Sequence, residues 1–110
     1  MSTVFQKRAE WYFKQVKGVI KEELITIVEE HGYLVGYEKN EKEFYLWDMY
    51  VEPEFRKSGI AKNLVYSFIR KTKPKYVSGT PSKASIPFWK KIGFEWDGHH
   101  IFKYFEDGGE

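Results

Sequence analysis

The stretch of this sequence best equipped for chemistry is Val51-Glu52-Pro53-Glu54-Phe55-Arg56-Lys57-Ser58-Gly59-Ile60-Ala61. It reads as a strand end, a basic loop with one glycine, and the start of a helix. The first N–H groups of a helix have no partner inside it, and the peptide dipoles add about half a positive charge there. Such a helix start attracts anions. Gly59 permits close backbone approach and unusual φ, while Arg56 and Lys57 add side-chain charge suited to phosphate. The Gly-Lys-Ser/Thr ending of a P-loop is absent, as is the Gly-x-Gly-x-x-Gly of a dinucleotide site.

The charge distribution supports an anionic ligand. Across 110 residues, 18 Lys and Arg face 16 Asp and Glu, a net charge of only +2. Yet ten of the bases fall between Arg56 and Lys91, a stretch without a single acid. Eleven of the 16 acids precede Arg56. A solvated lysine-rich face is the plainer reading of that run. The chain has no cysteine, which removes disulfides, thiolate nucleophiles, thiolate zinc sites and iron–sulfur clusters. No apolar run nears the roughly 18 residues of a membrane span, and the N-terminus lacks a secretion signal. The expectation is one cytoplasmic domain over residues 1–110, with 106–110 a loose tail. His99 and His100 look like metal ligands, but strand neighbours point to opposite faces; no metal is expected. Phe88, Trp89, Trp47 and Trp96 are expected in the core.

The elements that must position the loop follow from periodicity. Phe5, Ala9, Tyr12, Phe13, Val16 and Ile20 form one apolar face of a helix over Thr3 to Lys21, with Thr3 and Gln6 as a capping box. Leu24 to Val28, Tyr33 to Tyr37 and Phe44 to Val51 read as an antiparallel meander, with a helix across Lys17 to Glu30 as the competitor. Pro53 ends the third strand. Ile60, Leu64, Val65, Phe68 and Ile69 mark a second helix, which Pro74 follows. Lys75 to Gly79 is a fourth strand, expected parallel to the third. A helix over Lys83 to Ile92 with Pro87 near its start and Gly93 at its end precedes a hairpin, Phe94 to Trp96 and Ile101 to Phe105. The fold class is mixed α/β with one sheet.

Arg56-Lys57-Ser58-Gly59-Ile60-Ala61 resembles the acyl-CoA-binding signature of the GCN5-related N-acetyltransferases (GNAT), Gln/Arg-x-x-Gly-x-Gly/Ala, and Tyr50 to Pro53 resembles the strand end before it. Ser82 to Phe94, SKASIPFWKKIGF, resembles the family's Asn-x-x-Ala-x-x-Phe-Tyr-x-x-x-Gly-Phe segment. The likeness runs from about Leu24 to Phe105. It implies a GNAT-like sheet whose central parallel pair splays at the cofactor site. It also implies direct acetyl transfer from acetyl-CoA to an amine. The backbone of Lys57, Ser58, Gly59, Ile60 and Ala61, with Arg56, would hold the CoA pyrophosphate. The main chain of Met49, Tyr50 and Val51 would pair with the pantetheine arm. Ser82 and Phe88 join the implied cofactor contacts, and Lys83, Lys90 and Lys91 are candidates for outer phosphates.

Transfer to an amine needs a base, an oxyanion donor and a proton for the leaving thiolate. Asp48 is the first candidate base and Glu52 the second. The tyrosine that supplies the family's acid is here Trp89, whose indole N–H is no acid at neutral pH. Ser85, Tyr50 or Tyr104 could replace it. The acidic remainder of the chain favours a cationic acceptor: a polyamine, an amino-sugar, a protein lysine or an N-terminus. Two rivals stand beside this reading: a non-catalytic CoA-binding module, and a phage-type member touching nucleic acid. Family members often pair through sheet edges, so a homodimer is compatible.

Overall fold

The computed structural model describes residues 4–106. The chain opens with α1 (Val4–Lys17), then β1 (Leu24–Val28), β2 (Gly32–Asn40) and β3 (Glu43–Val51). A 3₁₀ turn (Pro53–Phe55) leads to α2 (Ile60–Thr72) and β4 (Tyr76–Gly79). A second 3₁₀ turn (Lys83–Ser85) runs into α3 (Ile86–Lys91), and β5 (Glu95–Trp96) and β6 (Ile101–Tyr104) close the chain. The strands form one six-stranded sheet in the order β1-β2-β3-β4-β6-β5, so β1 and β5 are its edges. Among the described residues only β3 and β4 run parallel, joined by α2 as the crossover.

The elements sit close to the sequence expectation, and the differences have local causes. α1 ends at Lys17, not Lys21: the N–H of Gly18 turns back to the Gln15 carbonyl, and those of Val19 and Ile20 both reach Val16. The expected start at Thr3, with its capping box, lies outside the described residues, as do residues 107–110 of the expected tail. β1 forms where a helix was the competitor. β2 continues to Asn40 beyond the expected end at Tyr37. Its last three side chains are exposed, so they carry no apolar alternation to read. The turn shrinks to Glu41 and Lys42, where Lys42 takes φ 59° and donates its N–H to Glu38. α3 starts as a 3₁₀ turn, with Pro87 in its first α turn. It ends in a Schellman motif: Gly93 (φ 98°) donates to Lys90 and Phe94 donates to Trp89. The Phe94 ring then packs edge-on against Trp89 at 5.1 Å.

α2 covers one face of the sheet. Leu64, Val65 and Phe68 on α2 meet Leu34, Phe44, Leu46, Val77 and Ile101 from four strands in the main core. The alternation of β2 sends Leu34 to that face and Tyr33 to the other. There Tyr33 meets Phe5, Tyr12 and Phe13 of α1, with ring centroids 5.4 to 6.1 Å apart. The result is helix on sheet on helix. No helix among the described residues is long and apolar enough to cross a membrane.

Gly36 sets how closely α2 lies on the sheet. A Cβ there would stand 2.6 Å from the Tyr45 carbonyl oxygen and 3.1 Å from the Phe68 ring. Backbone on one side and a fully buried ring on the other leave nothing flexible to give way. Gly36→Ala is therefore expected to lower stability by about 1–3 kcal/mol. A urea midpoint equal to wild type would show that β2 accommodates the methyl group.

Candidate functional site

β3 and β4 stay side by side for four register pairs only, from Glu43 opposite Tyr76 to Leu46 opposite Gly79. β3 then runs on to Val51, while the chain after Gly79 leaves the sheet through Thr80 and Pro81. The parting coincides with a β-bulge. Val35 on β2 faces Asp48 and Gly36 faces Leu46, so Trp47 has no partner across that ladder. A bulge bends its strand and re-aims its side chains. Between the parted strands lies a cleft of about 170 Å³, with Trp47, Asp48 and Met49 on one wall and Ser82, Ser85 and Trp89 on the other.

The main chain of β3 also faces this gap. The N–H of Glu52 bonds to His31 on the β2 side, at 2.9 Å. Peptide groups alternate along a strand, so those of Met49 and Val51 turn toward the open side. The Val51 carbonyl there accepts the Nε–H of Arg56 at 2.9 Å.

The basic loop continues from this strand end. The guanidinium of Arg56 lies over the Tyr50 ring at 5.6 Å, so the side chain expected to hold phosphate also ties the loop to β3. The Ser58 hydroxyl donates to the Phe55 carbonyl. Lys57 (φ 65°) and Gly59 (φ 92°) both adopt left-handed backbone, a conformation that favours glycine. Gly59 caps α2 without a side-chain hydrogen bond, and the first helical bond runs from Asn63 N–H to the Gly59 carbonyl. The N–H groups of Ile60, Ala61 and Lys62 thus stand ahead of the helix ladder. A Cβ on Gly59 would meet no atom within 4 Å, so the space in front of the loop is clear.

The two candidate carboxylates part company. Asp48 is half-buried on the cleft wall. Glu52 turns away and accepts a hydrogen bond from His31 Nδ1 at 2.9 Å. Ser85 lies on the cleft and donates to the Ser82 carbonyl at 2.8 Å. Tyr104 pairs with Tyr76, at the end of β4 remote from the cleft. Trp89 is buried against Phe88 and Phe94, as expected. Trp47 is a correction: it is 39% exposed, because alternation from the buried Leu46 turns it to the α1 face, where it is left partly uncovered. Lys83, Lys90 and Lys91 are exposed. At His99 and His100 both main-chain N–H groups bond to Asp97, making a turn, and no metal-binding cluster occurs among the described residues.

Sequence reasoning missed Tyr12 and Tyr33. The Tyr33 hydroxyl donates to Asp48 at 3.3 Å. Burial, and then Asp48, push the Tyr12 phenol up to about 12, and Tyr33 is driven higher still by burial and the Asp48 charge. Both are neutral phenols beside a carboxylate at ordinary pH. A raised phenol favours the folded state below its unfolded value of 10.0, and that contribution is lost as pH climbs through about 12. Denaturation midpoints are therefore expected to fall between pH 10 and 12, less steeply in Tyr12→Phe. Identical slopes in both proteins would contradict this placement.

Residues 3–104 match the profile described as an acetyltransferase (GNAT) domain. No curated protein matches the chain. Among solved structures, an acetyltransferase from Bacillus cereus ATCC 14579 is similar at TM-score 0.69 and 14% identity, over 96% of this chain and 95% of that one. The PaiA N-acetyltransferase of Thermoplasma acidophilum, solved with coenzyme A, is similar at TM-score 0.68 and 15% identity, over 88% of this chain and 70% of that one. Ard1 from Thermoplasma volcanium is similar at TM-score 0.61 and 20% identity; the match covers 70% of this chain and 64% of the Ard1 chain.

Proposed function

This chain belongs to the GNAT acetyltransferase family, and from that premise we propose that it moves an acetyl group from acetyl-CoA directly to a cationic primary amine. One observation carries the reading: the cleft between β3 and β4 opens at the same strand ends that carry the anion loop. A ligand with phosphates at one end and a thioester at the other fits that continuity. The loop backbone from Lys57 to Ala61 holds the pyrophosphate, with the clear space before Gly59 as its seat. The peptide groups of Met49 and Val51 pair with the amides of the pantetheine arm. The coenzyme A bound to the T. acidophilum protein, on the same fold, supports this assignment.

The acceptor enters from the α1 side. Asp48 takes the proton of the ammonium, and the freed amine attacks the thioester carbon. A backbone N–H of β3 stabilises the oxygen as charge develops on it. As the C–S bond breaks, the attacking nitrogen loses its second proton, which passes through water to the leaving CoA thiolate, since Trp89 supplies none. Tyr12 and Tyr33 orient Asp48 and, remaining neutral, do not compete for the ammonium. The exposed ring of Trp47 adds a face on which a cation is attracted.

Millimolar acetyl-CoA is expected to raise the melting temperature by several degrees, and Gly59→Glu, which fills and charges the seat, to abolish the rise. No shift in wild type would end the reading. Asp48→Asn is expected to keep the shift while lowering kcat about a hundredfold. Equal kcat in both would remove Asp48 as the base. Neutral amines used as well as polyamines, with KM indifferent to salt, would remove the cationic acceptor. A second reading is favoured by Trp89, which stands buried where the family's acid is expected: a module that binds CoA without turnover. Acetyl-CoA binding with no amine-dependent thiol release across a broad amine panel would select it.

A further inference from the structure

His31 and Glu52 are unlike the other polar residues around the loop, because they form a closed set of contacts with it. His31 sits in the β1–β2 turn, far from the loop in sequence. Its carbonyl accepts the Glu52 N–H at 2.9 Å. Its Nδ1 bonds to Glu52 Oε1 at 2.9 Å, and its Nε2 lies 3.9 Å from Glu30. Its ring lies flat on Phe55, centroids 3.4 Å apart and planes 5° from parallel. Main chain, ring nitrogen and ring face all engage the first four residues after β3.

Those four residues carry the rest of the loop. The Phe55 N–H bonds to the Glu52 carbonyl at 2.9 Å, closing the 3₁₀ turn. The Phe55 carbonyl accepts the Ser58 hydroxyl, one residue before the Gly59 cap. A chain of contacts therefore runs from His31 through Phe55 and Ser58 to the open N–H groups of α2. Phe55 is half-buried and packs in part against the main core, while the imidazole covers one face of its ring.

We infer that His31, held by Glu52, is a positioning residue for the anion loop, fixing Phe55 so that the backbone from Lys57 to Ala61 is preformed for the cofactor's phosphates. Glu52 then acts through His31 and is not the base. This inference rests on the acetyl-CoA reading above. Preforming a loop lowers the ordering cost at binding, so its loss weakens cofactor affinity more than turnover.

The test compares His31→Ala, His31→Gln, His31→Phe and Glu52→Ala by steady-state kinetics. His31→Ala is expected to raise KM for acetyl-CoA about five- to tenfold, the equivalent of one or two hydrogen bonds, with kcat and the amine KM changing far less. His31→Gln keeps a donor for Glu52 and His31→Phe keeps the ring on Phe55, so each is expected to recover part of the loss. Glu52→Ala is expected to raise the same KM and leave the pH profile of kcat unaltered. Wild-type protein without an acetyl-CoA melting shift would overturn the functional reading. A wild-type shift with the acetyl-CoA KM of His31→Ala within twofold of wild type would overturn this inference alone. So would a kcat loss in Glu52→Ala that removes the acidic limb of the profile. Should His31→Ala fail to fold, the Glu52→Ala measurements decide.

Discussion

The site depends on a parallel strand pair that is tied at one end only. Four register pairs hold β3 to β4, and beyond Leu46 and Gly79 the ladder stops. A peptide group taken from water without a partner is costly, so an opened ladder in a sheet needs something to bond to its exposed backbone. Here the opening lies at the C-terminal ends of two parallel strands, the usual place for ligands in α/β sheets. The crossover helix α2 begins beside it because a parallel connection must return over the face of the sheet. The cleft, the backbone donors and the helix start are one geometric consequence of the same parting.

The two faces of the sheet then divide the chemistry. On the α2 face the loop offers N–H groups and bases. On the α1 face the chain gathers phenols around one carboxylate, with Tyr12 and Tyr33 close to Asp48. The bulge at Trp47 links the faces, because it shifts the side-chain alternation of β3 by one residue. Leu46 points to the core and Asp48 to the α1 side, although two-residue spacing in a regular strand would place them together.

That shift explains what the sequence made legible and what it hid. The loop from Arg56 to Ala61 is local chemistry, and its residue types mark it as the proposed anion site in the sequence itself. The meander, α2 and the parallel β4 follow from periodicity and short connections. Trp47 was misplaced because its large ring suggested burial, whereas alternation from Leu46 puts it on the α1 face, where it is left partly uncovered. Glu52 was a candidate base because it adjoins the strand end; only the return of His31 across the β1–β2 turn reveals its partner. Tyr12 read as part of an apolar helix face and Tyr33 only as a strand residue, since neither a helical stripe nor a single strand tells which carboxylate it will meet. The end of α1 at Lys17 turned on one glycine that local propensity alone tolerates.

The outer edge of the sheet has a bearing on how copies of the chain meet in solution. β1 is short, β-branched and free of proline, the kind of edge that invites another strand. It is bracketed by Glu22 and Glu23 before it and Glu29 and Glu30 after it. Two copies laid antiparallel about Thr26 would set Glu23 against Glu29 and Glu22 against Glu30. Like charges placed opposite one another destabilise such a pairing. Four glutamates so placed disfavour that pairing while Ile25 and Ile27 stay packed against the main core.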